Sequence, residues 1–449
     1  MFYLHHQKYS FHLLNLHVSW NRPTRSKILP KKNLVLLGLG CLGLCFLASC
    51  GNPVTKNSPT LAEGDAPANT AVTKKIVVGA NRTDAYVPLL ATKNVAVVAN
   101  QTSVIFKDMS KTSSTEKSYT HLVDSLLSAG VMIKKVFAPE HGFRGIADAG
   151  EKVKDGKDLQ SGLPIISLYG ANRKPTEKQL QGIDLVVFDI QDVGVRFYTY
   201  IATLQLVMEA CASNNIPVMV LDRPNPNGHY IDGPTMEPAL TSFLGMTTIP
   251  LVYGMTIGEY ATMINEEGWL AESAKVDLTV VPLENYSHLS SYDLPIRPSP
   301  NLPNAKAINL YPSLGLFEGT TINAGRGTEF QFQRYGAPFL DDTTFSFRYT
   351  PAPNFGSKNP KHSQTICFGE DLATYPKVSE VSLQWIIKAY EGSKDKEKFF
   401  KTAGFSKHAG TDALQKQIME GMSETAIKKT WQKDLITFKK IREKYLLYP

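Results

Sequence analysis

Leu185-Val-Val-Phe-Asp-Ile190 runs straight into Gln191-Asp-Val-Gly-Val-Arg-Phe-Tyr-Thr-Tyr200 and then into an apolar-periodic segment that ends at Ser213. A short, continuously apolar run followed by a helical pattern, with no hairpin turn between them, reads as a strand buried on both faces that crosses over to a parallel neighbour. The apolar run at residues 217–221 supplies that neighbour. Toward the N-terminus the alternation continues, with strands predicted at residues 95–99, 133–137 and 164–168 and helices at 119–129 and 177–181. Toward the C-terminus, residues 256–270 read as a helix opened by Thr256 with Glu259 three residues on, and residues 276–281 as a further strand. This pattern predicts an α/β chain with a Rossmann-like parallel-sheet domain over residues 76–298. Past the Pro-rich passage 295–303 the alternation stops. Gly/Thr-rich loops then run to about Pro338, with helices expected at 382–390 and from 412 to 448, so residues 299–449 read as a smaller α+β domain. Two domains suit a length that exceeds what a single core usually supports.

The N-terminus reads as an export leader. Lys31 and Lys32 precede the apolar run 34–49, too short for a settled membrane span, which ends in Leu47-Ala48-Ser49-Cys50. That pattern is a lipobox: residues 1–49 are expected to be removed and Cys50 to be lipidated. Met1 to Pro30 lengthens the leader beyond what export needs, so a translation start near Ile28 or Leu29 is expected. Residues 50–75 read as the lipidated cysteine and a flexible tether, rich in Pro, Asn, Thr, Ala and Ser. Gly51 is not the aspartate of inner-membrane retention, so a periplasm-facing position on the outer membrane is expected. Gly38-x-Gly40-x-x-Gly43 matches a dinucleotide fingerprint but lies inside the leader's apolar core and is assigned no function.

Removing the leader takes away six basic residues (Lys8, Arg22, Arg25, Lys27, Lys31 and Lys32) and no acidic one, so the formal charge drops from +7 to +1. A near-neutral chain argues against a nucleic-acid partner. Of five cysteines, Cys41 and Cys45 belong to the leader, Cys50 is the anchor, and only Cys211 and Cys367 remain, which makes neither a disulfide framework nor a zinc site. No metal or cofactor is expected.

In open α/β sheets ligands bind where the carboxyl ends of the strands converge. Three predicted strands end in polar clusters there: Ala138-Pro-Glu-His-Gly-Phe-Arg-Gly145, Gln191 to Tyr200, and Asp222-Arg-Pro-Asn-Pro-Asn-Gly228. Each also has a plain structural reading. Asp222 to Gly228 is a good Pro/Asn/Gly turn, and Arg196 stands one helical turn from Asp192 and could pair with it. His141 divides between orienting Glu140 and contacting a ligand. Glu140 resists such a reading, because a carboxylate between Pro139 and His141 at a strand exit is expensive to place in a crevice.

These clusters, with Glu318-Gly-Thr-Thr-Ile-Asn-Ala-Gly-Arg-Gly-Thr328, resemble the NamZ family of exo-β-N-acetylmuramidases, long catalogued as a domain of unknown function. The likeness extends from about Ile76 to Pro449 and departs peripherally at Gln331-Phe332-Gln333, where rim contacts are expected to differ. It implies a glycoside hydrolase with its active-site cleft between the two domains. The substrate it implies is the terminal N-acetylmuramic acid at non-reducing ends of peptidoglycan-derived saccharides.

Glycosidic cleavage usually needs one carboxyl group to protonate the leaving oxygen and an ionised one to stabilise or attack the anomeric carbon. Glu140 is the candidate acid, with His141 beside it, and Asp189, Asp192 or Glu318 its partner. The 2-acetamido oxygen of the substrate could equally replace a protein nucleophile. Muramic acid carries a lactoyl carboxylate, which calls for the planar fork of an arginine, and Arg144, Arg196 and Arg326 are candidates. Asp189, Gln191, Tyr198, Asp222, Arg223 and Asn225 complete the candidate substrate-binding set, and Tyr200 and Phe332 could stack on the sugar's apolar face. A non-catalytic sugar-binding lipoprotein is the alternative, though a pure binder has no need of a poised acid. An amidase or esterase is weaker still, since neither Gly-x-Ser-x-Gly nor His-Glu-x-x-His occurs.

Overall fold

Helix α1 (Thr83–Leu90) precedes β1 (Val95–Ala99), whose five residues are all buried, as a strand covered on both faces requires. The computed structural model describes residues 74–107, 118–145 and 155–449, which all belong to one compact unit. The expected leader, Cys50 and the tether to residue 73 lie outside the described residues. β2 (Val104–Phe106) and β3 (Tyr119–His121) form a small antiparallel ribbon. Then come α2 (Leu122–Ser128), β4 (Ile133–Ala138), β5 (Gly156–Lys157), β6 (Pro164–Ser167), α3 (Glu177–Leu180), β7 (Leu185–Asp189), α4 (Tyr200–Ser213), β8 (Val218–Leu221), α5 (Ile257–Glu266) and β9 (Leu278–Val281).

The main sheet runs β5-β6-β4-β1-β7-β8-β9 and is parallel except at the β5 edge. With β5 set aside, the strands stand in the order third, second, first, fourth, fifth, sixth along the chain. That is the doubly wound order, and it puts the reversal of winding between β1 and β7. The Rossmann-like reading therefore holds. The first strand exit is not a glycine loop: Asn100 Oδ1 accepts from Thr102 N (2.8 Å) and Thr102 Oγ1 (2.6 Å), and Thr102 Oγ1 in turn receives Gln191 N at 2.9 Å across the switch point.

The predicted helix at 119–129 begins three residues late. Tyr119-Thr-His121 pairs with β2, and the ring of His121 then caps α2 by accepting from Val123 N. Thr256 and Glu259 form the expected reciprocal capping box of α5. The helix α6 (Ala305–Leu314) was hidden by Pro312 inside it and by the Pro-rich passage before it. A short 3₁₀ turn, Gly315–Gly319, follows directly. Strands β10 (Arg334–Ala337), β11 (Phe347–Tyr349) and β12 (Cys367–Asp371) form an antiparallel sheet of order β10-β12-β11. Helices α7 (Gln384–Glu391), α8 (Thr402–Ala409), α9 (Ala413–Met419), α10 (Glu424–Thr430) and α11 (Gln432–Arg442) complete the α+β part. One apolar cluster runs from Ala96 of β1 to Phe438 of α11, so both parts of the chain share a core. No helix among the described residues is long and apolar enough to cross a membrane.

Candidate active site

β4 ends at Ala138, and Pro139 cannot continue its ladder. His141 (φ 70°) and Gly142 (φ 78°) then take left-handed backbone, an unusual conformation for histidine, so the chain turns sharply just after Glu140. Thr199 is the first residue before α4 but does not cap it. Its Oγ1 donates instead to Glu140 Oε2 at 2.9 Å. The hydroxyl of Tyr169, just beyond β6, also bonds the Glu140 carboxylate; burial and that negative charge raise its pKa, so it stays protonated as a donor. Tyr200 OH donates to Glu140 O at 3.4 Å. Three strand exits, those of β4, β6 and β7, thus converge on one carboxyl group.

Glu318 comes from the other part of the chain, on the turn Gly315–Gly319. Arg326 Nη1 donates to its Oε2 at 3.0 Å. Lys361 Nζ lies beneath, held by the carbonyls of Phe317 (2.8 Å) and Ile322 (3.1 Å), and burial pushes its ammonium down to about 8. Burial also lowers the His408 imidazole, whose Nδ1 is 2.9 Å from Gly404 O. Burial by itself raises the Glu318 carboxyl, yet the charges of Arg326, Lys361 and His408 outweigh it and leave the group below its ordinary range. Glu318 is therefore ionised at neutral pH.

Both carboxylates line one cavity of about 350 Å³, within the usual size of a small-ligand site. His141, Tyr198 and Arg326 line it too, and Phe197, Tyr311 and Phe332 form an aromatic wall. Edge-to-face contacts set that wall, with ring centroids 5.1 Å apart for Phe197 and Tyr311 and 4.7 Å for Tyr311 and Phe332. Phe332, a candidate to stack on the sugar, stands in the cavity lining, while its neighbours Gln331 and Gln333, grouped with it as a departure expected to alter rim contacts, are buried. Tyr198 OH donates to Pro298 O at 2.7 Å, so the Pro-rich passage closes one side.

The other candidates from the sequence sit behind this surface or away from it. Asp189 and Arg223 form a buried bidentate pair (2.6 and 2.8 Å), and Arg223 also reaches Val104 O. Asp192 is buried; its Oδ2 accepts from Gly194 N at 2.7 Å and from the Tyr253 hydroxyl, while Oδ1 has no side-chain partner among the described residues. Burial pushes the Asp192 carboxyl up to about 6. Arg196 does not pair with Asp192, because residues 192–199 are not helical. Its guanidinium bonds the carbonyls of Pro234 (2.7 Å), Ile249 (2.9 Å), His408 (3.1 Å) and Ala409 (2.6 Å) and so ties down the segment that presents His408.

Arg144 lies outside the cavity, paired with Asp158 at 2.8 Å and Asp124 at 3.3 Å. Gln191 Nε2 bridges the carbonyls of Asp192 and Pro224. Asn225 Nδ2 bonds Met255 O while its Oδ1 receives Asn227 N. Asp222 anchors the start of α5 through Gly258 N (2.8 Å) and Thr256 Oγ1 (2.7 Å), and Tyr448 OH reaches it at 2.6 Å, so the stretch from Asp222 is the structural turn. Tyr200 braces Glu140 through its hydroxyl and does not line the cavity. Sequence reading missed Tyr169, Arg173, Thr199, Tyr311, Lys361 and His408. Tyr169 and Arg173 were findable, because they follow a fourth parallel strand whose carboxyl end meets the same crevice.

A cavity that brings two carboxyl groups together, one of them held ionised by neighbouring cations, is the equipment of a glycoside hydrolase. Family models described as the N-terminal and C-terminal parts of the exo-β-N-acetylmuramidase NamZ match residues 95–306 and 309–448. The chain belongs to the NamZ family. It is 40% identical over 336 residues to the peptidoglycan β-N-acetylmuramidase NamZ of Bacillus subtilis (strain 168), covering 71% of this chain and 80% of that protein. Two crystal structures of DUF1343 family proteins from Bacteroides fragilis NCTC 9343 are similar. One has TM-score 0.74 and 40% identity, covering 84% of this chain and 99% of its own. The other has TM-score 0.69 and 27% identity, covering 83% and 99%.

Proposed function

We propose that this chain is an exo-acting glycoside hydrolase that releases N-acetylmuramic acid from the non-reducing ends of peptidoglycan fragments in cell-wall turnover. The meeting of Glu140 and an ionised Glu318 in one cavity carries the reading, and the named activity of the Bacillus subtilis relative agrees with it. Glu140 gives its proton to the glycosidic oxygen as the bond from that oxygen to the anomeric carbon breaks. Glu318 faces the positive charge that develops on the sugar, and water completes the hydrolysis. Of the three arginines expected to read the lactoyl carboxylate, Arg326 lines the cavity. The aromatic wall offers the sugar's apolar face a surface.

The leader supports a further reading of where the enzyme works. Leu47-Ala48-Ser49-Cys50 makes Cys50 the site of lipidation, and the absence of aspartate at position 51 favours an outer-membrane anchor facing the periplasm. Contact with the membrane is through this lipid alone.

Incubation with a saccharide of alternating N-acetylmuramic acid and N-acetylglucosamine, muramic acid outermost, tests the activity. The expected products are free N-acetylmuramic acid and a chain one sugar shorter. Internal fragments, or no release, would overturn the reading.

A further inference from the structure

A second concavity, of about 530 Å³, adjoins the catalytic cavity. Arg173, Ser242 and Phe243 line both, so the two are parts of one groove with these residues as the lip between them. Arg173 lays its guanidinium over the Phe243 ring, Cζ 4.4 Å from the centroid. The lip is firmly built. Ser242 and Gly245 exchange backbone hydrogen bonds of 3.0 and 2.9 Å across Phe243 and Leu244, and Asn172 Nδ2 ties the preceding loop to Ser167 O at 2.9 Å.

The lip connects to the carboxyl group of Glu140. Tyr169 bonds that group, and its ring centroid lies 6.3 Å from that of Phe243. Arg326, Lys361 and His408 belong to the Glu318 wall. This polarity gives the groove a direction, because a general acid must stand beside the oxygen of the departing group. The cavity between Glu140 and Glu318 then holds the sugar being released, and the concavity beyond Phe243 lies on the leaving-group side.

Charge on the shelf supports that direction. Lys174 is neutralised by Glu209 at 3.1 Å, whereas Arg173 is exposed and forms no ion pair among the described residues. Stacked on Phe243, its fork is pre-oriented for a carboxylate. Beyond the departing amino sugar of an alternating glycan stands another acidic one, with its lactoyl carboxylate or the peptide attached there.

We propose that the shelf formed around Arg173 and Phe243 is the leaving-group subsite, with Phe243 supporting the departing N-acetylhexosamine and Arg173 meeting the carboxylate of the acidic sugar beyond it. The assignment rests on the glycosidase reading above.

The test compares wild type, Phe243→Ala and Arg173→Ala on three substrates: nitrophenyl β-N-acetylmuramide, the N-acetylmuramyl-N-acetylglucosamine disaccharide, and the trisaccharide extended by a second N-acetylmuramic acid. Phe243→Ala is expected to lower kcat/KM for disaccharide and trisaccharide roughly ten-fold more than for the nitrophenyl compound, mainly through KM, as loss of a stacking contact implies. Arg173→Ala should penalise the trisaccharide at least five-fold more than the disaccharide, with part of the loss restored in Arg173→Lys. Equal losses on all three substrates would place both residues in the donor cavity and overturn the proposal, as would no loss at all. Wild type that cleaves none of the three would overturn the glycosidase reading itself, and the subsite with it.

Discussion

Arg326 holds Glu318 through a single 3.0 Å contact between Nη1 and Oε2, while its Nη2 is tied to Gly356 O at 3.3 Å. The arginine is thus fixed by the protein at one nitrogen and presents its charge to the cavity carboxylate with another. It keeps Glu318 ionised and adds positive potential where an acidic sugar would lie.

Replacing Arg326 with Ala should therefore have two separable effects. Preference for a β-N-acetylmuramide over the matching β-N-acetylglucosaminide should fall by the roughly 1.5–3 kcal/mol of a charge-assisted contact, about ten-fold or more in kcat/KM. The acid limb of the pH profile should also move upward. In wild type Glu318 ionises below its ordinary value of 4.5, so activity that needs the carboxylate is retained above that value and lost only as pH falls through the lower one. Profiles of kcat/KM on both sugars check this, and an unchanged preference would remove Arg326 from lactoyl recognition.

Asp192 gives the opposite pH sign. Its carboxyl is pushed up to about 6 by burial, so the folded state holds a proton that the unfolded chain releases near 3.8. The stability from this group is fully present below the unfolded value and declines as pH rises through about 6, by an amount on the order of 3 kcal/mol. Asp192→Asn can keep both hydrogen bonds at its remaining oxygen. It should raise the melting temperature at pH 7 relative to wild type and keep kcat/KM within about three-fold. A folded variant without activity would return Asp192 to the chemistry.

Arg196→Met should be among the most destabilising changes near the site. It leaves the carbonyls of Pro234, Ile249, His408 and Ala409 without their donor, at about 1–3 kcal/mol for each that stays buried. Denaturant unfolding should show a loss of several kcal/mol. A loss below 1 kcal/mol would mean that the His408 segment does not depend on this residue.

What the sequence reveals, and what it hides, follows from how these residues are placed. The apolar runs of β1, β4, β7 and β8 are legible because strands buried on both faces leave no polar alternation. Glu140 is legible because such a run stops at a proline and leaves a carboxylate in a crevice. The neighbouring clusters misled for a physical reason. Asp189 and Arg223 lie 34 residues apart and close the switch point as a buried pair, and composition cannot separate charges that hold a crevice together from charges that face it. Lys361 and His408 reach Glu318 from irregular segments and α8, with no period that links them. Only the folded chain brings them together.

The anchor reading has its own test. Wild-type protein expressed with its leader should incorporate labelled fatty acid, and Cys50→Ala should not, while the released Cys50→Ala protein keeps hydrolytic activity because residues 51–73 read only as a tether. Absence of label in wild type would remove the anchor.

The central claim is that Glu140 is the proton donor, and leaving-group dependence tests it most directly. Glu140→Gln keeps the shape that Thr199 and Tyr169 hold but cannot release a proton. On a muramyl glycoside with a sugar leaving group, turnover should fall by roughly 10²–10⁴-fold. On the nitrophenyl β-N-acetylmuramide, whose leaving group barely needs protonation, the loss should be far smaller. Comparable losses on the two substrates would assign Glu140 another role, and near-wild-type turnover on the sugar leaving group would contradict the account outright.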